Sequence, residues 1–209
     1  MVSSRFRAPL IALGLPLLLG AILRSVSGAS EVSVCLLAPH GSIEAGGRVR
    51  ARVPLPRPTI FAADPLAEVR LEQGHRLLWQ RQAMLLEPIQ GPLPWPLPPL
   101  RPVERMLLRL RPVGEPESHE ATIELEAGPA AMLERNEALR ASLGSNGDLW
   151  LQAVERALER RDEDLAAALL FAFEGPSSPT LDSLRRTAYA QACRTTGSAS
   201  LGTEPSPSP

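Results

Sequence analysis

The pattern of apolar and polar positions divides the chain into two parts with different periods. Between residues 31 and 127, short apolar runs alternate with polar residues at every second position, which predicts half-buried β-strands. From residue 128 onwards, apolar residues recur every three or four positions, which predicts helices. The change of period places strands in the first part of the chain and helices in the second.

Two places in the first part show the strand pattern clearly. Residues 48–53 alternate strictly, with three apolar side chains on one face and three arginines on the other. Residues 67–71 and 75–79 also alternate and flank a Glu-Gln-Gly turn, which predicts a hairpin. We interpret the three arginines as the solvated face of a half-exposed or edge strand; a basic strip for an anionic partner is the alternative.

Residues 105–111 and 120–126 form the strongest strand pair in the sequence. If they pair across the turn between them, opposite charges face each other and each pair contributes about 0.2–1 kcal/mol. The charged positions are Arg109 and Arg111 on the first strand and Glu124 and Glu126 on the second.

Short strands at spacings near ten residues, with Pro and Gly between them, predict the fold class and its divisions. We predict an α+β protein with an N-terminal antiparallel β-sandwich, immunoglobulin-like or fibronectin-like, over residues 30–127. A C-terminal helical hairpin region follows over residues 128–195. Residues 196–209, which are rich in Ser, Pro, Gly and Thr, are predicted to be a disordered tail.

A proline-rich stretch, residues 88–102, interrupts the strand pattern. Proline fixes φ and has no backbone donor, so the stretch is predicted to lie extended as a strap that crosses between sheets, with Trp95 packed into the sandwich. Within the strap, Pro96, Pro99 and Arg101 have the P-x-x-P-x-R spacing that grooves of SH3 type recognise. The candidate interaction strap therefore comprises Trp95, Pro96, Pro99 and Arg101.

The helical part predicts four helices. Glycine or proline separates the first from the second and the third from the fourth, and a short charged turn joins the second to the third. Asp148 is predicted to cap the second helix, with Leu151, Val154 and Leu158 along its buried face. Three adjacent carboxylates open the third helix at residues 162–164. We interpret them as partners of the helix dipole, and a cation site is the alternative.

The first residues have the pattern of a secretory signal. Arg5 and Arg7 precede an uncharged run at residues 8–23, and small residues up to Ala29 follow it. A spanning helix needs about 20 apolar residues, more than this run supplies, so we predict a signal peptide over residues 1–29. An uncleaved membrane anchor is the alternative. The protein is therefore expected to be exported, to the periplasm or outside the cell.

The chain has two cysteines, Cys35 in the first predicted strand and Cys193 in the last predicted helix. Export would bring both into an oxidising compartment, where disulfides persist. Cys35 and Cys193 are therefore a candidate disulfide, and two unpaired buried thiols are the alternative.

Composition excludes several kinds of chemistry. The chain has no lysine, since all 22 basic residues are arginine, which excludes Schiff-base and phosphate-loop lysines. The histidines His40, His75 and His119 have no Cys or carboxylate at ligand spacing, and no nucleophile elbow or paired catalytic carboxylates are present. We assign no catalytic, cofactor-binding or metal residues and expect no cofactor and no enzymatic activity.

Three stretches, in this order along the chain, carry a resemblance to a known family: Val34-Cys35-Leu36-Leu37-Ala38-Pro39, Pro98-Pro99-Leu100-Arg101-Pro102, and Asp148-Leu149-Trp150-Leu151-Gln152-Ala153. The order of parts resembles an uncharacterised family of exported cyanobacterial proteins. The resemblance implies an immunoglobulin-like sandwich followed by helices, and it implies no activity.

The sequence as a whole predicts a non-catalytic exported binding or assembly module of the cell envelope. The expected partner is an envelope protein. Nucleic acid is excluded because acidic residues outnumber arginines once the signal is removed, and a membrane is a partner only if the N-terminal segment is uncleaved. The alternatives are a membrane-tethered envelope assembly factor and a ligand-binding or hydrolytic enzyme with an unrecognised site.

Overall fold

A computed structural model describes residues 34–44, 48–84, 87–116, 118–176 and 178–197 of the chain. The predicted signal peptide, most of the predicted tail and the side chain of Cys193 lie outside the described residues. The described part contains two sheets and four helices, so the α+β class is confirmed. The strands are β1 (Leu36–Ala38), β2 (Gly41–Ile43), β3 (Val49–Val53), β4 (Phe61–Ala62), β5 (Leu66–Gln73), β6 (Arg76–Gln82), β7 (Arg105–Pro112) and β8 (Ala121–Ala127); the helices are α1 (Ala130–Leu143), α2 (Gly147–Glu159), α3 (Glu163–Ala172) and α4 (Pro179–Gly197).

The larger sheet has six strands in the order β2-β3-β8-β7-β5-β6. All neighbours are antiparallel except β3 and β8, which are parallel. The predicted hairpin is confirmed as β5 and β6, which turn at Gly74 in the left-handed conformation at φ 60°. β3 is a half-exposed strand, as interpreted, because Ala51 and Val53 are buried while Arg52 is exposed. It is not an edge strand, because β2 and β8 pair with its two sides.

One face of the six-stranded sheet is apolar and buried. Val69, Leu71, Leu108 and Leu110 are all 0% exposed on this face. Alternation at every second residue puts these side chains on the same side of their strands, as the sequence pattern predicted.

The proline-rich strap covers this apolar face. Its buried residues Ile89, Leu93, Trp95 and Leu100 belong to the same hydrophobic core as the sheet. Leu93 also forms a two-way backbone bridge with Ile60, at 2.9 and 2.7 Å. Prolines supply no backbone donors, so the strap makes isolated bridges instead of a continuous ladder.

The smaller sheet contains only two strands, β1 and β4. The apolar face of the large sheet is therefore not covered by a second full sheet within the described residues. The immunoglobulin-like sandwich stays a prediction.

The helices form a second hydrophobic core with the first described strand. Leu165, Leu169 and Phe171 of α3 are buried there together with Cys35 and Leu37. The strand β1 therefore packs with helices that follow it by more than a hundred residues. Cys35 is disulfide-bonded, and its pairing with Cys193 stays a prediction because that side chain lies outside the described part.

The beginning of α2 differs from its prediction in two respects. Asn146, not Asp148, caps the helix, and its side-chain oxygen accepts from the Asp148 N–H at 3.0 Å. The buried face is centred on Trp150, Ala153, Val154 and Ala157, whereas Leu158 is exposed. Trp150 sets this face: its indole N–H donates to the Gly144 carbonyl at 2.8 Å, and its ring lies 5.5 Å from that of Phe173.

No helix in the described part of the chain is both long enough and apolar enough to cross a membrane. The apolar run at residues 8–23 lies outside the described residues.

Backbone strain is present where the strap ends. Val103 has φ 54°, a conformation that β-branched residues rarely adopt, and its side chain is 65% exposed. Asparagine tolerates this conformation better. We expect Val103→Asn to raise the free energy of unfolding by about 1 kcal/mol, measured by chemical denaturation.

Val113 is the matched control for this substitution. It is also an exposed turn valine, at 55%, but it does not have a positive φ. Val113→Asn should give no gain, and equal effects of the two substitutions would contradict the assignment of strain to Val103.

Candidate functional site

The outer strand β6 leaves one edge of the large sheet open. It pairs with β5 on one side only, and no described strand lies on its other side. The opposite edge, β2, is only three residues long, whereas β6 has seven. An open edge strand presents a row of unpaired backbone N–H and C=O groups that can pair with another chain.

A β-bulge decides which side chains of β6 lie on each face of the sheet. Trp79 lies opposite Leu71, but Leu77 lies opposite Glu72, so the register shifts between them. Trp79 therefore lies on the apolar side of the sheet and Leu77 on the polar side. Leu77 is 48% exposed, while Trp79 is partly buried against the sheet core.

Apolar side chains are exposed at both ends of this edge. Leu77 lies near the beginning of β6, and Met84, two residues beyond its end, is 77% exposed. The strand contains no proline and no acidic residue, and its charged residues are Arg76 and Arg81. Among the described residues, neither arginine has a carboxylate within ion-pair distance.

Five arginines on the polar face of the sheet differ from Arg76 and Arg81 because glutamates neutralise them. We call this set the ion-pair lattice. Its members are Arg50 with Glu44, Glu124 and Glu126; Arg70 with Glu68 and Glu120; Arg105 with Glu124 and Glu126; Arg109 with Glu72 and Glu120; and Arg111 with Glu68.

The lattice confirms that opposite charges face each other across the strands, but the partners differ from those predicted. In the antiparallel register Arg105 lies opposite Glu126 and Arg109 opposite Thr122. Arg111, next to the turn, is therefore far from Glu126 and instead donates to Glu68 of β5 at 2.9 Å. A basic strip for an anionic partner is not available at Arg50, because three glutamates surround it.

One carboxylate and one guanidinium group of the lattice have shifted pKa values. Burial disfavours ionisation of Glu68, but hydrogen bonds from Arg111 and Gln80 outweigh it and hold the pKa of Glu68 below its ordinary value. Burial also opposes the charge of Arg109, yet its bonds to Glu72 and Glu120 raise its pKa. Both shifts favour the charged forms of Glu68 and Arg109.

An open cleft of about 560 Å³ lies between the sheet and the turn that joins α2 to α3. Its walls carry both signs of charge: Arg52, Arg160 and Arg161 on one hand, and the carboxylates at residues 162–164 on the other. Burial raises the pKa of Asp164, with the charges of its acidic neighbours adding to the effect and His40 and Arg52 opposing it.

The composition of this cleft argues against a small-molecule site. Ligand pockets are mostly apolar with a few placed polar groups, whereas here Pro54 and Met132 are the main apolar lining residues. One of its acids is already engaged, because the Asp162 carboxylate caps α3 by accepting from the Leu165 N–H at 3.2 Å.

The residues of the candidate interaction strap are placed differently from one another. Trp95 is only 9% exposed, and its indole N–H donates to the Pro98 carbonyl at 3.0 Å. Pro99 and Arg101 are exposed and Pro96 is half-buried. The indole therefore stabilises the strap from inside, and only part of the P-x-x-P-x-R sequence is open to a partner.

The three histidines lie at separate places in the structure. His40 lines the cleft, His75 is exposed at the β5–β6 turn, and His119 lies 3.2 Å from Glu115 through Nδ1. No cluster of three or more potential metal ligands occurs within the described residues.

Comparisons with protein-family models, curated proteins and solved structures give no match for this chain. The resemblance to exported cyanobacterial proteins stays a prediction.

The β6 edge was not identified from the sequence, although a signal for it was present. The run of residues 76–82 carries two arginines and no acid, but the interior strands β3 and β7 share that composition, so it does not mark an edge. The signal is the proline-rich strap that comes next along the chain, because no strand able to pair with β6 follows it directly.

The pKa shift of Glu68 predicts a pH-dependent contribution to stability. Glu68→Gln should lower the free energy of unfolding at pH 7 by about 1–3 kcal/mol, because Arg111 loses a buried carboxylate. The pKa of Glu68 in the folded protein lies below its ordinary 4.5, so the wild-type advantage is complete above pH 4.5. It is lost as the pH falls through the folded value, and the two proteins converge.

Denaturation curves recorded between pH 7 and pH 3 test this expectation. Glu134→Gln is the control, because Glu134 is exposed on α1 and has no ion pair with another described residue. A gap between wild type and Glu68→Gln that does not change with pH would show that the carboxylate charge is not the source of the stabilisation.

Proposed function

We propose that the protein is a non-catalytic exported binding or assembly module of the cell envelope that holds a partner protein by strand addition at β6. The observation that carries this proposal is the seven-residue open edge of β6, with exposed apolar side chains at both ends. Strand addition is a common mode of peptide recognition, in which the main chain supplies affinity and alternate side chains supply specificity.

The structure of the edge supports binding over mere solvent exposure. Natural proteins protect edge strands by making them short or by adding proline or inward charges. The β2 edge is short, at three residues, whereas β6 is seven residues long and has no proline. Of these protections β6 carries the charges of Arg76 and Arg81, which a partner of opposite charge would neutralise. Each backbone hydrogen bond contributes only about 0.5–1.5 kcal/mol net, so the side chains of β6 must contribute to any stable complex.

Export is supported by two independent features. The basic and apolar pattern of residues 5–23 is typical of a secretory signal. Cys35 is disulfide-bonded, and disulfides persist in oxidising compartments. If the N-terminal segment stays attached, the same edge would serve a membrane-tethered assembly factor.

We also propose that the β region is an immunoglobulin-like sandwich whose second layer is mostly irregular. The strap and the segment around Ile60 would take the place of the missing strands. The bridges between Ile60 and Leu93 and between Leu66 and Ile89 support this view. Such a scaffold would hold the β6 edge rigid. A strand already fixed by a packed core loses little further entropy when a partner pairs with it, which favours binding.

Site-specific photo-crosslinking in intact source cells tests the proposal. A photoreactive amino acid at Leu77 or Gln82 should give one discrete adduct with a partner protein, because both positions lie on the β6 edge. The same amino acid at Val113, exposed in the β7–β8 turn, should give none. Adducts that are absent at both β6 positions, or equally strong at Val113, would refute strand addition at β6.

A further inference from the structure

We infer that the segment that binds β6 is acidic, with acids placed on both sides of an apolar residue at alternate positions. This inference rests on the proposed strand addition. It adds a sign of charge and a spacing that the partner must have.

Side chains of β6 lie on the apolar side of the edge in a fixed order. Arg81 lies opposite Val69 and Trp79 lies opposite Leu71, so both side chains project on the side of the sheet where the core lies. Arg76 lies opposite Gln73, which places it on the same side. The bulged residue Leu78 also packs against the core. Along the edge the order on this side is therefore basic, apolar, basic, with Trp79 as the aromatic part of the apolar centre.

Arg76 and Arg81 have no acidic partner in the described part of the chain. Arg50, Arg70, Arg105, Arg109 and Arg111 on the sheet each form an ion pair. Arg52 of β3 is the other arginine of the described strands without an ion pair, and it lines the cleft, at the far side of the strand order from β6. The open edge thus carries two positive charges that its own sheet does not neutralise.

The register of an added strand would decide which of its residues lie beside the two arginines. Side chains that face each other on neighbouring strands have Cβ atoms about 4.5–5.5 Å apart, close enough for an ion pair. A strand added to β6 would place one residue beside Arg81, and the residue two positions along beside Trp79. The favoured partner therefore has an acid, a spacer and an apolar residue, with a second acid beyond it near Arg76.

The polar side of the edge imposes no such charge. Its side chains are Leu77, Gln80 and Gln82, and Gln80 already donates to the Glu68 carboxylate. Residues of the partner on this side can be uncharged. The specificity of the edge comes from the side that carries Trp79.

Arginines on an open edge also serve to prevent aggregation between copies of a protein. That role requires charged side chains on the edge, but it does not require a partner with a particular sign of charge. The two explanations are separated by asking whether the edge selects acidic over basic segments.

The experiment uses the purified full-length chain and two labelled seven-residue peptides with blocked ends. The acidic peptide is Thr-Glu-Thr-Val-Thr-Glu-Thr, and the basic control replaces both glutamates by arginine. Binding is measured by fluorescence anisotropy, and its location by amide hydrogen exchange of residues 76–82. We expect the acidic peptide to bind at least tenfold more tightly and to protect the β6 amides, with the preference reduced at high salt.

Charge reversal provides the matched variants. The double substitution Arg76→Glu and Arg81→Glu should reverse the preference, so that the basic peptide binds more tightly. The control is Arg48→Glu with Arg135→Glu, two exposed arginines outside β6, and it should keep the wild-type preference. Circular dichroism checks that all variants are folded.

Each outcome bears on one of the two proposals. If both peptides protect the β6 amides equally, or if charge reversal does not change the preference, strand addition stands and the acidic specificity is refuted. If neither peptide protects β6 at millimolar concentration, strand addition at this edge is refuted as well.

Discussion

The contact between the apolar face of the six-stranded sheet and the proline-rich strap is the interaction on which the rest of the structure depends. Trp95 and Leu93 of the strap are buried in the same hydrophobic core as Leu71 and Leu108 of the sheet, while the prolines prevent the strap from becoming a strand. The strap carries the chain from β6, at the edge, back to β7 in the interior of the sheet. Because the chain crosses the face at this point, β6 is left without an outer neighbour.

The two faces of the sheet are stabilised by different interactions. One face is buried by apolar contacts, and the other is covered with arginines and glutamates that neutralise each other. Individual exposed ion pairs contribute little, but a network of half-buried pairs fixes the register of several strands at once. The polar face is consequently a structural element, and the arginines of the described strands that have no ion pair lie at the cleft (Arg52) and on β6 (Arg76 and Arg81).

Local features of this fold could be predicted from the sequence, and non-local ones could not. Gly144 ends α1 and Gly175-Pro176 follows α3, and the β5–β6 hairpin has its turn residues in the chain itself. The parallel pairing of β3 with β8 joins segments about 70 residues apart, so no local pattern reports it. The buried face of α2 was misplaced because Trp150, which directs it, packs against the distant Phe173. The open edge was missed for the same reason, since an edge is defined by strand order.

The packing of β1 against the helices has a consequence for the order in which the molecule can fold. During synthesis β1 is made before the sheet, yet its buried partners in α3 and α4 are the last elements to appear. Contacts that join distant parts of a chain form late, because the loop between them must first be closed. The sheet can therefore fold while β1 is still unpacked, and the completed helical core then joins β1 to helices that follow the sheet along the chain.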